Sequence, residues 1–544
     1  MELLIEGRIA TLAGDRGFGW VEAIAIRDGE IIAAGSRPDV IAATKGGAER
    51  WRLGDDVVVM PSLTDAHLHL VTTAISDQQI DLTGLGLDDA LARLAAAHAE
   101  RARAGDRTGW LQGHGWSPHS LGSWPDAGML QAVAPGRPVA LTAHDHHSRW
   151  LSPAGLSAAG IRSSTADPAG GLIRRDADGR PTGILHEAAI TLVDDAIPQP
   201  SEAELDAWIT QAAARLAALG VTGCHDPGEL TDREDLERGP ALFRRLAERG
   251  RLPLRVHSSI RAPQLDAATA AGLRSGDGEG HYRMGWLKLF ADGSLGSRSA
   301  ALLEPYSDAA ERPPTGGPTG MFTMAVDELR RLVMRAAQAG ISSQIHAIGD
   351  AAVRAALDVL ADAPPTPLMR RIEHAQLVDP ADFARFGALD IAASVQPVHL
   401  RSDAEQAVMA WGERADSAFP LRALDEGGAL IPFGTDSPVE PIDPWPGLTM
   451  AVHRADSLRP HYSRLGPRHA IGLDRAIRAA CLDPVRSAGV RNLGRLTRGS
   501  RADLIVAPAN VIDDQDDPRS LAAGRPLATM LDGDVIHAAA EFTA

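Results

Sequence analysis

The chain of 544 residues contains only two cysteines, Cys224 and Cys481, which lie far apart and in no CxxC spacing. Two such cysteines do not make a disulfide framework, so we expect a reducing compartment, the cytoplasm. The N-terminus lacks a basic stretch followed by an apolar one, so no signal peptide is expected. No apolar run approaches the roughly 20 residues that a membrane helix requires.

Positive charge is also in deficit, because 54 Lys and Arg residues face 71 Asp and Glu residues, for a formal net charge of −17. Such a surface disfavours nucleic acid as a partner. The net charge says little about the substrate, which we expect to be a small molecule, because the local charge of a pocket can oppose the global one; a homodimer is the common default for oligomeric state. No glycine-rich GxGxxG fingerprint is present, which argues against an open dinucleotide-binding sheet.

The middle of the chain alternates between amphipathic and short apolar segments. Residues 202–219, 325–339 and 354–361 have helical periodicity, and glycine and a brief apolar run follow the first two. A helix, a glycine stop and a short buried strand are typical of βα units. Repeated over roughly 400 residues, this pattern predicts an α/β fold with a (β/α)₈ TIM-like barrel spanning residues 61–487.

Both ends of the chain differ from the middle. Short apolar strands surround an Asp28-Gly29 turn near the start and an Asp532-Gly533 turn near the end. They predict a small β-sandwich domain built from residues 1–60 and 488–544. Residues 81–189 are rich in Trp, Gly, Pro and His and break the βα pattern, so we expect an inserted excursion over the barrel mouth.

The pair His67 and His69 follows a short β-branched run that ends at Pro61. Residues i and i+2 of a strand point to the same face, so both imidazoles can reach one metal ion. The pair also lies where a barrel strand would open onto the active face. Alone, this spacing is equally compatible with two ordinary hydrogen-bonded histidines.

Lys288 lies inside the apolar stretch of residues 285–291 with no carboxylate directly beside it. A buried ammonium is costly unless it is paired. Two interpretations remain open on this evidence. The lysine forms a salt bridge to a distant acid, or its neutral amine is carboxylated and bridges two metal ions.

Three more polar side chains follow apolar runs: His346, His374 and Asp436. Each could be a structural histidine or a helix-capping aspartate on its own. Together with HxH and Lys288, their order at the ends of successive apolar runs indicates a metal site.

The phrases around these residues resemble the amidohydrolase superfamily in its two-metal subtype, and specifically its amidohydrolase-3 or YtcJ-like branch, which includes N-substituted formamide deformylases. The split terminal β domain also fits this superfamily, so the resemblance covers nearly the whole chain. The matching phrases are PSLTDAHLH at 61–69, KLFADGSLGSR at 288–298, RIEHAQ at 371–376 and FGTDSPVE at 433–440.

The resemblance implies roles for these residues. His67, His69 and Asp436 would hold one metal and His346 and His374 the other, with carboxylated Lys288 and a hydroxide between them. Imidazole and carboxylate ligands suit two Zn²⁺ ions or related divalent ions. Metal binding can lower the pKa of water from 15.7 to about 7, and Asp436 would carry its proton to the leaving amine.

Four further residues are predicted to contact substrate: His225 at another strand end, Asp292 and Arg298 in the loop after Lys288, and Trp116 in the excursion. Arg298 could meet a substrate carboxylate or brace the acidic loop. Tryptophans over a barrel mouth could form an apolar pocket, although core packing is their usual role.

The predicted reaction is hydrolysis of a carbon–nitrogen bond in a non-peptide amide, N-substituted formamides included. The same centre could instead cleave an ester, a carbamate or a cyclic amide. A deaminase is disfavoured because the HxxE pattern of the single-metal deaminases of this superfamily is missing. A metal-free barrel protein is disfavoured by the intact ligand set.

Overall fold

The computed structural model describes residues 2–44, 47–229, 234–455, 465–540 and 542. Their strands form three sheets. The strands are β1 Glu2–Ala10, β2 Trp20–Arg27, β3 Glu30–Gly35, β4 Glu49–Arg52, β5 Val57–Pro61, β6 Leu63–Asp65, β7 Ile80–Asp81, β8 Leu111–Trp116, β9 Val139–Ala143, β10 Ser148–Leu151, β11 Gly171–Arg175, β12 Pro181–Glu187, β13 Val221–Asp226, β14 Arg255–Arg261, β15 Tyr282–Phe290, β16 Ser343–Ala347, β17 Arg370–His374, β18 Ile391–Ser394, β19 Leu504–Pro508, β20 Ala528–Leu531 and β21 Asp534–Ala538.

Helices connect and cover these strands. The α-helices are α1 Arg37–Ala43, α2 Leu70–Ser76, α3 Leu87–Arg103, α4 Pro118–Leu121, α5 Ala127–Val133, α6 Pro153–Ala158, α7 Glu202–Ala218, α8 Pro240–Glu248, α9 Leu265–Ala270, α10 Val326–Gln338, α11 Asp350–Asp362, α12 Phe383–Ala388, α13 Leu400–Trp411, α14 Leu421–Glu426, α15 Trp445–His453, α16 Leu473–Cys481, α17 Asp483–Ser487, α18 Asn510–Asp513 and α19 Pro518–Ala522. Short 3₁₀ segments occupy Ala188–Ala196, Ala262–Gln264, Pro380–Asp382, Pro397–His399, Gly412–Ser417 and Pro467–His469.

The central sheet is a curled parallel sheet of seven strands in the order β18-β17-β16-β15-β14-β13-β6. From β13 to β18, a helix lies between each strand and the next. The predicted helix at 202–219 is confirmed as α7, where Ser201 and Glu204 form a capping box. The one predicted at 354–361 begins four residues earlier, at Asp350. The repeated βα units are therefore present as predicted.

The segment 430–437 lies between the two edges of this sheet. On one side, the Val395 amide donates to the Pro432 carbonyl at 3.0 Å, and Val395 and Phe433 form a parallel bridge. On the other side, the Asp436 amide donates to the His67 carbonyl at 2.7 Å. Asp436 is thereby brought from its distant place in the sequence to the residues that follow β6.

Strands from both ends of the chain share a second, eight-stranded sheet in the order β21-β20-β19-β5-β1-β2-β3, with β4 paired to β1. Its two predicted hairpins are confirmed. Asp28 and Gly29 have φ of 50° and 77°, and Asp532 and Gly533 have φ of 53° and 82°, the left-handed values that a tight hairpin turn requires.

Residues 80–187 contribute a third sheet of six strands, in the order β11-β12-β10-β9-β8-β7. The strands of this sheet lie in the sequence between β6 and β13, and β6 and β13 pair with each other in the central sheet. The insertion therefore separates two neighbouring strands in sequence without separating them in space.

Cys224 and Cys481 are buried and free, as their spacing predicts. Across the described ranges, we find no helix whose length and apolar character would let it cross a membrane.

Candidate metal centre

The carboxyl ends of the parallel strands bring the predicted ligands together. Asp436 is the central residue of the group, because its Oδ1 lies 3.3 Å from His67 Nε2 and 3.4 Å from His69 Nε2. The ring centroids of His67 and His374 are 5.0 Å apart, and those of His374 and His346 are 4.6 Å apart. The four imidazoles and the carboxylate thus form one continuous cluster.

Each of the four imidazoles has one nitrogen held by a hydrogen-bond acceptor. His67 Nδ1 contacts Glu373 Oε2 at 2.5 Å, and His374 Nδ1 contacts Gln396 Oε1 at 2.8 Å. Metal-binding histidines are oriented in this way, with the second nitrogen free to act as a ligand. The remaining two contacts are His69 Nδ1 to the Gly228 carbonyl at 2.9 Å and His346 Nε2 to the Gly293 carbonyl at 3.0 Å.

The free nitrogens are suited to a metal. His67 Nε2 is buried and has no hydrogen-bond partner in the described part of the chain. A buried polar atom without a partner is costly, and a coordinated cation would satisfy it. Burial also lowers the pKa of the His67 imidazole to about 4, which keeps it in the neutral form that binds metals. The residues therefore fit a divalent ion.

Glu373 and Arg371 form the support behind His67. Burial alone would raise the pKa of Glu373, but the Arg371 guanidinium and His67 hold it well below its usual range. Arg371 Nε donates to Glu373 Oε1 at 2.8 Å and its Nη2 donates to the Ala66 carbonyl at 2.7 Å. An ionised Glu373 therefore fixes the tautomer of His67, and this role could not be assigned to Glu373 from the sequence alone.

We expect Glu373→Gln to weaken metal binding by about 10- to 100-fold, the usual effect of losing such an outer partner. The glutamine is neutral and can present its amide group to His67, so the ring would lose its orientation and part of its basicity. Metal affinity is measured by competition with a chromophoric chelator. Glu426→Gln, at the exposed end of α14, is the control and should bind metal as the wild type does. Equal affinities for both variants would contradict this role of Glu373.

Lys288 is buried in β15, with 1% of its surface exposed. Within the described residues Lys288 forms no ion pair within 4.0 Å, so the salt bridge, one of the two alternatives left open, is not formed, although Glu373 and Asp436 act on the amine from a greater distance. Burial lowers the pKa of its amine to about 7. Its Nζ lies 4.9 Å from the centre of the Phe290 ring, which is itself 5.0 Å from the ring of His346. The amine is thus adjacent to the imidazole cluster.

His399 is a further member of the cluster that the sequence analysis missed. Its Nε2 lies 3.3 Å from Asp436 Oδ2, and His374, His399 and Asp436 form a second group able to hold a metal ion beside His67, His69 and Asp436. The sequence signal that could have identified His399 is its position five residues after the apolar strand β18, a placement close to a strand end like that of the other ligands. Asp436 and His374 also have positive φ of 59° and 73°, and such strained backbone is common at functional sites.

Asp292 and Arg298 both lie in the loop after β15, and the side chain of each is bound to other protein groups. Asp292 accepts hydrogen bonds from the backbone amides of Ala301, Ile348 and Gly349, so it joins two loops beside His346. Arg298 forms a two-point ion pair with Asp308, at 2.5 and 3.2 Å. Of the two sequence-based alternatives for Arg298, the structure therefore favours the bracing role.

His225 and Trp116 are both buried. His225 Nδ1 accepts from Arg371 at 2.8 Å, which places it behind Glu373, and its role in a pocket stays a prediction. Trp116 donates its indole N–H to the Leu141 carbonyl at 2.9 Å and contacts the rings of Trp124 and Trp150. Its neighbours are those of a core residue of the inserted sheet, and its predicted contact with substrate stays a prediction.

The parallel sheet and its imidazole–carboxylate cluster define the class of metal-dependent hydrolases. The chain belongs to the amidohydrolase family, whose model matches residues 55–537. It is 31% identical to YtcJ of Bacillus subtilis (strain 168), which is classed provisionally as an amidohydrolase, over 96% of each chain. It is 24% identical to the N-substituted formamide deformylase of Arthrobacter pascens, over 90% of this chain and 91% of that protein.

A solved structure supports the same assignment. A metal-dependent hydrolase of uncharacterised activity from Pyrococcus horikoshii OT3 superimposes with a TM-score of 0.73 at 27% identity, covering 93% of this chain and 97% of that one. The family membership predicted from the four sequence phrases is therefore confirmed.

Proposed function

We propose that the chain hydrolyses a non-peptide carbon–nitrogen bond, with N-substituted formamides as the first substrate class to test. The observation that carries the proposal is the orientation of the four imidazoles, each anchored through one nitrogen and clustered around Asp436. The deformylase from Arthrobacter pascens, similar over nine tenths of the chain, supplies the substrate class.

We propose two Zn²⁺ ions, held by His67, His69, His346, His374, Asp436 and carboxylated Lys288. Bound there, the ions would supply a Lewis acid for the carbonyl and lower the pKa of water. The sequence supports a special role for the lysine. Only two of its 54 Lys and Arg residues are lysines, and one of these is Lys288 in the buried strand. An amine can react with carbon dioxide, whereas a guanidinium, which never loses its proton, does not do so.

In the proposed reaction, Asp436 moves the proton. Water adds to the amide carbon, and the Asp436 carboxylate accepts a proton from it. The carbon–nitrogen bond then breaks as Asp436 returns that proton to the departing nitrogen, so the products are a carboxylic acid and an amine. His399, 3.3 Å from Asp436 Oδ2, holds the carboxylate in place for both transfers.

The surrounding architecture is also part of the proposal. We infer that segment 430–437, hydrogen-bonded to both edges of the parallel sheet, completes an eight-stranded barrel. Residues 1–60 and 488–544 would form one composite β domain, whose strands share a sheet. The insertion at about 81–189 would cover the site, because His147 lies 5.2 Å from His346, ring to ring, and His144 Nε2 lies 3.5 Å from Glu440.

The experiment compares amides and esters with matched leaving groups. N-substituted formamides, N-acetyl amines and the corresponding formate and acetate esters are offered to metal-replete and chelator-treated protein. We expect kcat/KM to be highest for amides and to fall to background after metal removal. Turnover of esters alone would support the esterase alternative, and turnover that survives metal removal would overturn the proposal.

A further inference from the structure

Arg261, the last residue of β14, has a buried guanidinium whose Nη1 meets no hydrogen-bond acceptor among the described residues. The residue is 5% exposed, and its Nη1 is buried without a hydrogen-bond partner in the described part of the chain. The nearby carboxylate of Asp226 forms no ion pair with Arg261 within 4.0 Å, and its oxygens accept from the amides of Leu70 and Gly228 at 2.9 and 2.7 Å. A buried cation in this state is costly unless something else pairs with it.

The other buried arginines differ from Arg261. Each of them donates to backbone carbonyls or to acids: Arg371 bonds Glu373 and the Ala66 carbonyl, and Arg137 bonds the Gly109 carbonyl. Arg454 and Arg478 likewise donate to main-chain carbonyls. Arg137 and Arg478 also have a buried Nε without a partner, but their terminal nitrogens donate to carbonyls, whereas Arg261 has no such acceptor in the described ranges and lies beside the candidate metal centre.

Several contacts fix Arg261 within the site. It is the register partner of Lys288 in the neighbouring parallel strand, so the two side chains share one face of the sheet. Its guanidinium carbon lies 4.3 Å from the centre of the Phe290 ring, the same ring that Lys288 Nζ approaches. A Cβ on Gly228 would lie 3.4 Å from its stem, and the Gly228 carbonyl is the one that holds His69.

We propose that Arg261 binds a carboxylate group of the substrate, so that the site takes amides with an anionic group close to the scissile bond. A planar guanidinium matches a carboxylate with two parallel hydrogen bonds, and these bonds are strong where water is excluded. The inference rests on the proposed function, because it assigns the substrate class of that same site. Arg261 thus takes the role of carboxylate binder that the sequence suggested for Arg298, since Arg298 is already paired with Asp308.

The test uses two substrates that differ only in charge, racemic N-formylphenylalanine and its carboxamide. We expect wild-type protein to favour the carboxylate. Arg261→Met should raise KM for the carboxylate by about 10- to 100-fold, the effect of losing a charged hydrogen bond, and should change KM for the carboxamide by much less. Arg261→Lys keeps the charge and should restore part of the preference.

Thermal unfolding separates binding from a structural role. Removing an unpaired buried charge should keep or raise the Tm of Arg261→Met. A lower Tm together with equal losses on both substrates would overturn the inference, and so would equal KM values for the carboxylate in wild type and variant.

A binding series makes the result independent of turnover. Metal-loaded wild-type and Arg261→Met proteins are titrated calorimetrically with monocarboxylates from acetate to 3-phenylpropanoate, and with the matching amides. Tighter carboxylate binding by the wild type alone would support the inference even if the amide-hydrolase proposal failed. If no carboxylate binds the wild type more tightly than the variant, Arg261 has no such role.

Discussion

Asp436→Asn should lower kcat by about a thousandfold, within the range that general acid–base catalysis contributes. The carboxylate contacts His67 and His69 through Oδ1 and His399 through Oδ2. An asparagine can fill the same space, but its amide oxygen is a weaker metal ligand and cannot hold the transferred proton. Turnover is measured with the best amide of the panel in metal-replete buffer.

The matched control is Asp443→Asn, seven residues further along the chain. Asp443 pairs with Arg525 at 2.7 Å at a partly exposed position, where an ion pair contributes about 0–1 kcal/mol to stability. We expect near-wild-type turnover from this variant. If Asp436→Asn retained turnover within about tenfold of wild type, Asp436 would not be the proton carrier.

Lys288→Met should lower kcat by at least about a hundredfold, because a lost metal-derived stabilisation of several kcal/mol has at least that effect on rate. Methionine has a similar length and suits the buried position, so the fold should be retained. The modification itself is detected by ¹³C NMR after exchange with labelled bicarbonate. We expect one carbamate resonance in wild-type protein and none in Lys288→Met.

Lys45→Arg is the control for the label, since Lys45 is the other lysine of the chain and lies outside the described residues. It should keep both the resonance and the activity. A resonance that vanishes in Lys45→Arg, or that persists in Lys288→Met, would contradict the carboxylation of Lys288.

Helices and hairpins of the chain could be predicted from the sequence because each depends on residues close to one another in the chain. Strand ends, glycine stops and Asp-Gly turns are encoded within a few residues, so α7 and both hairpins were found nearly at their true bounds. The helix α11 begins four residues before the predicted start, because the amphipathic periodicity that predicts it is clear only from Arg354.

The partners behind the ligands could not be predicted from one sequence. Glu373 reaches His67 across 306 positions, and nothing local to either residue indicates that contact. The absence of a hydrogen-bond acceptor beside Arg261 is also a three-dimensional property, because the sequence does not specify which of the 71 acidic residues fold near it. The expectation that Trp116 lines a pocket came from its neighbourhood in sequence, whereas the packing of the inserted sheet places it among Trp124 and Trp150.

Metal content is the most direct measurement of the central claim, that the residues around Asp436 form a two-metal centre. Protein expressed in metal-replete medium and freed of loosely bound ions is analysed by plasma mass spectrometry, beside Lys288→Met. The account predicts two divalent ions per wild-type chain and fewer in the variant. A wild-type value near zero would contradict the metal centre, and equal values near one in both proteins would contradict the bridge.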